Sequence, residues 1–304
     1  MIRGEFRELT GRGVVLLDGA TGSNLREAGM PVGVPAETWI LEHPAVLQDL
    51  QRSYVQAGSR ILMAPTFSAS RPALEAFGLA ERLGELNRDL VRLSREAAGG
   101  RALVAGDLST LGRPMEPLGL ISYGQAYDVY REQMEALAAA GADLLAVETL
   151  MGLDEAAAAV DAAQSVCDLP VLCSFSVEAD GTVPFGGTAL EALLTLQEMG
   201  AAAVGVNCSV GPDQLEAVVR SLAEAARVPV IAKPNAGIPA IDERGRAVYS
   251  MGPGDFARHM AALARAGASL LGGCCGTTPA YIQALREAAK SPADPVSPGY
   301  EDRL

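Results

Sequence analysis

The chain has 304 residues, of which 49% are apolar and 20% charged, and its formal net charge is −13. This composition is that of a globular protein, and the length suffices for a single α/β barrel of about 250 residues. The acidic balance excludes nucleic acid and anionic membranes as main partners, because both require a basic surface.

Cysteine usage and the absence of long apolar stretches indicate where the protein works. No segment approaches the ~20 unbroken apolar residues that cross a bilayer, and the first residues lack the apolar centre of a signal peptide. The sequence therefore predicts a cytoplasmic protein. Its five cysteines are an odd number and do not indicate a disulfide framework, so metal binding, catalysis or burial remain for them.

Eight short apolar runs have the length and composition of parallel strands that are covered on both faces. In chain order these predicted strands are Val14–Asp18, Arg60–Ala64, Leu103–Asp107, Leu144–Glu148, Val171–Val177, Val204–Cys208, Val228–Lys233 and Leu270–Cys274.

Amphipathic segments with helical periodicity follow these strands. The predicted helices are Pro44–Ala57, Leu79–Ala98, Tyr123–Ala140, Asp154–Cys167, Ala189–Met199, Gln214–Ala226, Gly254–Ala266 and Pro279–Lys290. Strict alternation of eight strands and eight helices predicts a (β/α)8 TIM barrel. A doubly wound sheet is the alternative, but the glycine fingerprint that would accompany it is absent. We expect one domain over residues 1–304, with 291–304 as a polar C-terminal tail.

The reactive residues of such barrels lie at the carboxyl ends of the strands. The polar residues that the predicted strands place there are Asp18, Thr66, Asp107, Glu148, Asn207, Cys208, Lys233, Asn235, Cys274 and Cys275. Only two histidines occur in the chain, so chemistry that depends on a histidine base is poorly supplied.

Three of the five cysteines, Cys208, Cys274 and Cys275, converge on this rim and suggest a tetrahedral zinc site with one open position. Adjacent cysteines in a regular strand point to opposite faces, so the glycines that flank the pair are expected to bend the chain. A disulfide between the adjacent pair is the alternative. Cys167 and Cys173 are expected to be packing residues.

Asp18 and Glu148 offer paired negative charge for an ammonium group, although both could be ordinary rim or capping carboxylates. The glycine-rich turn Gly19–Gly22 offers backbone amides to a carboxylate. Together with a thiolate-binding metal, these groups describe a site for a thiol amino acid. Lys233 is expected to bond a rim carboxylate; the alternative is a Schiff-base lysine, as in class I aldolases.

Four motifs resemble the homocysteine S-methyltransferase family: DGATGSNL (18–25), ETL (148–150), GVNCSVGPDQL (205–215) and LGGCCGTTP (271–279). The resemblance implies a (β/α)8 barrel with one zinc per chain, held by Cys208, Cys274 and Cys275. It also implies that homocysteine is converted to methionine, its thiol losing a proton to become the nucleophile when it coordinates the metal.

The same resemblance implies further site residues. Asp18 and Glu148 would hold the homocysteine amino group, and the turn of Gly19, Ala20 and Thr21 would receive its carboxylate. Asn207 and Asn235 would lie beside the metal site or bind the metal in its resting state.

The methyl donor is indicated by GRPMEPLG (112–119) and PNAGIP (234–239), which are more similar to the methionine-synthase branch of the family. This similarity favours a methyl-corrinoid, delivered as methylcobalamin by a separate protein that docks over the barrel mouth or as free cofactor. S-methylmethionine and betaine stay open as donors, although the aromatic cage that betaine requires is not matched at Trp39 or Ser68. Another small thiol or selenol as acceptor, and a non-catalytic zinc- or thiol-binding subunit, are the remaining alternatives.

Overall fold

A computed structural model describes residues 1–242 and 247–290. The predicted tail at 291–304 lies outside the described residues. Within them, the strands in chain order are β1 (Val15–Leu16), β2 (Ile61–Met63), β3 (Leu103–Ser109), β4 (Leu144–Leu150), β5 (Val171–Phe175), β6 (Ala203–Cys208), β7 (Val230–Pro234), β8 (Pro239–Ile241), β9 (Ala247–Tyr249) and β10 (Ala268–Leu271).

Eight of these strands are parallel neighbours in one sheet, in the order β1-β10-β7-β6-β5-β4-β3-β2. The two outer strands of this order meet through a parallel bridge between Leu17 and Ile61, where the Arg60 amide donates to the Leu16 carbonyl at 2.7 Å. The sheet thereby closes on itself. This arrangement confirms the predicted (β/α)8 barrel, while β8 and β9 form an antiparallel hairpin outside it.

Helices cover the outside of the barrel, as βαβ connections require. They are α1 (Arg3–Gly11), α2 (Gly22–Glu27), α3 (Ala36–Glu42), α4 (Pro44–Ala57), α5 (Arg71–Glu75), α6 (Leu83–Ala98), α7 (Tyr123–Ala139), α8 (Leu153–Val166), α9 (Ala189–Glu198), α10 (Glu216–Ala225), α11 (Pro253–Arg265) and α12 (Pro279–Lys290). No helix among the described residues has both the length and the apolar character needed to cross a bilayer.

The barrel lumen is filled by every second residue of the strands, because successive side chains of a strand point to opposite faces. These packed lumen residues are Val15, Leu17, Ile61, Met63, Ala105, Leu144, Ala146, Leu172, Ala203, Ile231 and Leu270. Phe6 of α1, which precedes β1, is fully buried in the same cluster and closes the amino-terminal end. The chemistry is therefore confined to the opposite end.

The element boundaries differ from the prediction at two functionally important strands. Strand β10 ends at Leu271, three residues before the predicted end, and β4 extends two residues beyond Glu148 to Leu150. Helix α6 begins at Leu83 rather than Leu79, since residues Ala80–Arg82 form a 3₁₀ turn.

The prediction also missed α1, α2, α3, α5 and the β8–β9 hairpin, all of which are too short to give a strong periodic signal. Two of these helices fold the segment between β1 and α4 onto the flank of the barrel. There, Leu25, Met30 and Ile40 pack with Leu47 of α4 and Leu90 of α6.

Candidate active site

The three rim cysteines come together at the carboxyl ends of the strands. Cys208 is the last residue of β6, and Cys274 and Cys275 follow β10. Their Sγ atoms all lie within 4.8 Å of one another, and the sulfurs of the adjacent pair are 4.0 Å apart. All three are free thiols that are partly buried. The structure thus forms the predicted cluster across 68 positions of sequence, Cys208 to Cys275 counting both ends.

Cys208 reaches this cluster because the backbone leaves the extended conformation at the end of β6. Alternation places Ala203, Gly205 and Asn207 on the lumen side, so a regular strand would turn Cys208 away from it. Instead Cys208 has φ 59° and Ser209 has φ 51°, both in the left-handed region that costs non-glycine residues energy. The Val177 amide donates to Ser209 Oγ at 3.0 Å and thereby supports this turn.

The adjacent cysteines are accommodated by a turn that begins after β10. A Cβ atom on Gly273 would lie 2.4 Å from Thr277 Oγ1, and one on Gly272 would lie 2.7 Å from the Asp18 carbonyl oxygen. Gly276 has φ 81°, and a Cβ there would lie 2.3 Å from the ring of Tyr249. The turn therefore requires two glycines for close packing and one for its left-handed backbone.

The cluster does not hold three negative charges on its own. Hydrogen bonds from Cys208 and Cys274 lower the pKa of Cys275, whereas the corresponding contacts with Cys208 and Cys275 raise the pKa of Cys274. One thiolate is stabilised by two neighbouring thiols, and further ionisation is opposed by like charge. A bound cation would remove this opposition, so the donor set is suited to a thiophilic metal.

A second group of side chains lies on the lumen side below the cysteines. Asp107 follows Ala105 by two positions on β3, Glu148 follows Ala146 on β4, and Lys233 follows Ile231 on β7. Lys233 is buried, and its Nζ donates to Glu148 Oε1 at 2.7 Å and to Oε2 at 2.9 Å. This bond confirms the expectation that Lys233 pairs with a rim carboxylate.

Lys233 is further stabilised as a cation. Although burial alone would lower its pKa, the charges of Glu148 and Asp18 raise it above the usual value. Its Nζ is 3.9 Å from Asp18 Oδ1. A Schiff-base lysine must lose its proton before it attacks a carbonyl, so this environment argues against the aldolase alternative.

Asp18 lies at the edge of the same group. Its Oδ2 accepts the Met63 amide at 2.8 Å, whereas Oδ1 is buried and has no hydrogen-bond partner among the described residues. Burial raises the pKa of this carboxyl to about 7, against the opposing effects of Lys233 and the Met63 amide. An acceptor that is buried and unpaired in this way is costly, and a cationic ligand would satisfy it.

The turn after Asp18 is fixed by a network around Thr277. The Ala20 amide donates to Thr277 Oγ1 at 3.1 Å, and the Tyr54 hydroxyl donates to the Ala20 carbonyl at 2.9 Å. The amides of Gly19 and Thr21 meet no protein acceptor within the described part of the chain. Two of the three predicted carboxylate-binding amides are therefore available, and that of Ala20 is committed to Thr277.

The two asparagines bond backbone groups, although Asn235 Oδ1 is buried without a hydrogen-bond partner among the described residues. Asn207 is buried, accepts the Thr149 amide at 2.8 Å and donates to Thr149 Oγ1 at 2.9 Å. Thr149 has φ 60° where the β4–β5 register shifts, so Asn207 stabilises a bulge beside Glu148. Asn235 donates to the Ser209 carbonyl at 3.1 Å. Their proposed relation to the metal stays a prediction.

The remaining residues of interest lie outside this group. Cys173 is fully buried in the core cluster outside the lumen, and Cys167 packs against that cluster, in agreement with their predicted packing roles. Trp39 stacks on His43 with ring centroids 4.3 Å apart. Strand periodicity does not indicate Tyr249 or Tyr54 as site residues, because both reach the site from elements other than the barrel strands.

A closed barrel that carries a thiolate cluster and a carboxylate-lined pocket at one end defines the class of metal-capable (β/α)8 enzymes. A family model described as homocysteine S-methyltransferase matches residues 15–289, and the chain belongs to this family. The family is one of methyltransferases.

The relatives agree with this assignment. Methionine synthase from Mycobacterium tuberculosis is 31% identical over 293 residues, which are 90% of this chain and 24% of that protein. Methionine synthase from Mycobacterium leprae is 30% identical over 302 residues, 93% of this chain and 25% of that protein. The chain thus spans about a quarter of these relatives.

The chain is also similar to a solved structure over nearly its whole length. The metallated form of the homocysteine methyltransferase MmuM from Escherichia coli superimposes with a TM-score of 0.80 at 25% identity. The match covers 93% of this chain and 99% of that one.

Proposed function

We propose that this chain transfers an activated methyl group to the thiol of homocysteine and forms methionine, with one zinc ion held by Cys208, Cys274 and Cys275. The observation that carries the proposal is the convergence of three sulfur atoms within 4.8 Å, directly beside a buried group of carboxylates.

The donor set fits zinc in number and spacing. Tetrahedral zinc with Zn–S distances of about 2.3 Å separates its sulfur ligands by about 3.8 Å. The Cys274 and Cys275 sulfurs are 4.0 Å apart, and the third sulfur is within 4.8 Å of both, so small side-chain movements complete the site. When bound, zinc lowers the pKa of a substrate thiol and leaves its sulfur nucleophilic at neutral pH.

The remaining groups select and orient the amino-acid end of the substrate. Asp18 and Glu148 supply negative charge for the ammonium group, and Asp18 Oδ1 is the unpaired acceptor. The amides of Gly19 and Thr21 are available to the carboxylate at the start of α2. The amino-acid end of homocysteine would be held by carboxylate side chains and backbone amides while its thiol points to the cysteines.

The donor proposed here is a methyl-corrinoid, carried as methylcobalamin by a separate protein. The similarity to two methionine synthases supports it. The connections that follow β2, β3 and β7 also expose large apolar side chains, which such a partner would cover. These side chains are Phe67, Leu118, Leu120, Ile238 and Ile241.

The test combines zinc content with methionine formation from homocysteine plus methylcobalamin, S-methylmethionine or betaine in separate reactions. Cys208→Ala, Cys274→Ala and Cys275→Ala should each lose zinc and turnover while circular dichroism shows an intact barrel. Cys167→Ala, which removes a partly buried thiol elsewhere, should retain about one zinc per chain.

Two results would contradict different parts of the proposed function. Normal zinc content in one of the three variants would remove that residue from the ligand set. A zinc-loaded native protein that uses no donor would support the non-catalytic subunit instead.

A further inference from the structure

We propose that Asp107 is a third carboxylate of the ammonium site and determines the selectivity of the pocket for thiols that carry an amino group. This inference rests on the proposed function, since it concerns the substrate of the same site. The resemblance assigns the ammonium to Asp18 and Glu148 alone.

Asp107 is placed in the pocket by strand geometry. It continues the lumen-facing series of β3 after Leu103 and Ala105 and is 6% exposed. Its Oδ1 is buried and has no hydrogen-bond partner among the described residues. Burial raises the pKa of Asp107, and the nearby charge of Glu148 raises it further. The carboxylate therefore faces the same group as Asp18, Glu148 and Lys233.

Lys233 changes what Glu148 can offer. Both Glu148 oxygens already accept from Lys233 Nζ, at 2.7 and 2.9 Å, so this carboxylate shares its charge with an internal cation. The unpaired acceptors are instead Oδ1 of Asp18 and Oδ1 of Asp107. Three carboxyl groups thus surround one lysine, and a substrate ammonium would favour the charged forms of the two that lack this bond.

The backbone at Asp107 is rigidly held, as a recognition residue requires. Its amide donates to Thr66 Oγ1 at 3.0 Å, and its carbonyl accepts from the same hydroxyl at 2.8 Å. The Gln133 side chain donates to the Thr66 carbonyl at 2.8 Å and fixes Thr66 in turn. These bonds leave the Asp107 side chain as the part of the residue that has an unmet acceptor.

The experiment measures binding to the zinc-loaded protein by calorimetry with two ligands. One is homocysteine, and the other is 4-sulfanylbutanoate, which has the same thiol and carboxylate but no amino group. Asp107→Asn should lower the ratio of homocysteine affinity to 4-sulfanylbutanoate affinity by about 10- to 100-fold, the effect of one hydrogen bond to a charged group. Asp107→Ser should give the same ratio if the asparagine variant folds poorly.

Glu155→Gln is the matched control. Glu155 is also buried, but its oxygens are already bonded by Thr110 Oγ1 at 2.8 Å and by the Tyr130 hydroxyl at 2.7 Å. Its substitution should leave the ratio as in the native protein.

An unchanged ratio in Asp107→Asn, or an equal loss for both ligands, would overturn the inference. A native protein that binds homocysteine but transfers no methyl group would instead count against the proposed function, while the ratio still decides the role of Asp107.

Discussion

At the scale of single residues, burial decides which acids of the pocket are ready for a cation. Within the described part of the chain, Asp18 and Asp107 each keep one oxygen without a hydrogen bond, whereas both oxygens of Glu148 are bonded by Lys233. Burial raises the pKa of Asp18 to about 7, so the ligand-free carboxyl is largely protonated below that pH and charged above it.

The pKa of Asp18 predicts how substrate selectivity depends on pH. Only the charged carboxylate attracts an ammonium group, so homocysteine affinity relative to 4-sulfanylbutanoate should rise as pH increases from 6 to 8, by about tenfold at most for each pH unit. The relative measurement cancels the ionisation of the thiol that both ligands share. Calorimetry of the native protein and of Asp18→Asn at several pH values checks this prediction. The affinity ratio should depend less on pH in the variant. A ratio that does not change with pH in the native protein would contradict the prediction.

At the scale of elements, the metal site depends on interrupting regular strand geometry. Strands β6 and β10 bring their ends to one rim, but alternation within either strand would point adjacent side chains to opposite faces. Left-handed backbone at Cys208, Ser209 and Gly276 breaks the alternation at the points where the thiols are needed.

The turn at Gly276 can be tested with a glycine of similar conformation elsewhere. Gly276→Ala forces a Cβ to within 2.3 Å of the Tyr249 ring at φ 81° and should weaken zinc binding by about tenfold or more in chelator competition. Gly78→Ala adds a Cβ at φ 69° in open space. It carries the same backbone cost without the collision, so zinc affinity should be unaffected. Equal zinc affinity in the two variants would show that the collision is relieved without moving the cysteines.

At the scale of the whole molecule, the barrel separates stability from chemistry. Phe6 plugs the amino-terminal end of the lumen, whereas the thiols and carboxylates occupy the other end. Between them lies a packed layer of apolar side chains, so damage at the plug is remote from the site.

A substitution of Phe6 should lower the stability of the protein without changing its zinc binding. Phe6→Ala should lower the free energy of unfolding by about 3–5 kcal/mol, because a fully buried aromatic ring is replaced by a cavity. Below the transition, zinc content should equal that of the native protein. Ile2→Ala is the control, since Ile2 is 64% exposed and should change stability by under about 0.5 kcal/mol. Urea unfolding measures both; a zinc loss in folded Phe6→Ala would refute the separation.

The barrel and the cysteine cluster were predictable because they follow from short-range patterns. Apolar runs alternating with amphipathic segments specify parallel strands and covering helices, and strand ends in a barrel must share one rim. These patterns alone therefore place Cys208, Cys274 and Cys275 together at one rim. The resemblance of four motifs to a known family added the predictions of the substrate and of the zinc ion.

Which of the carboxylates pairs with Lys233 was decided by tertiary structure alone. Whether Glu148 is open to a ligand depends on Lys233, which lies 85 residues further along the chain and meets it only across the lumen. The unpaired oxygens of Asp18 and Asp107, and the left-handed turns at Cys208 and Gly276, likewise depend on contacts between distant segments. Sequence determines which side chains reach the rim because that follows from strand periodicity; which of them remain unpaired there depends on three-dimensional packing.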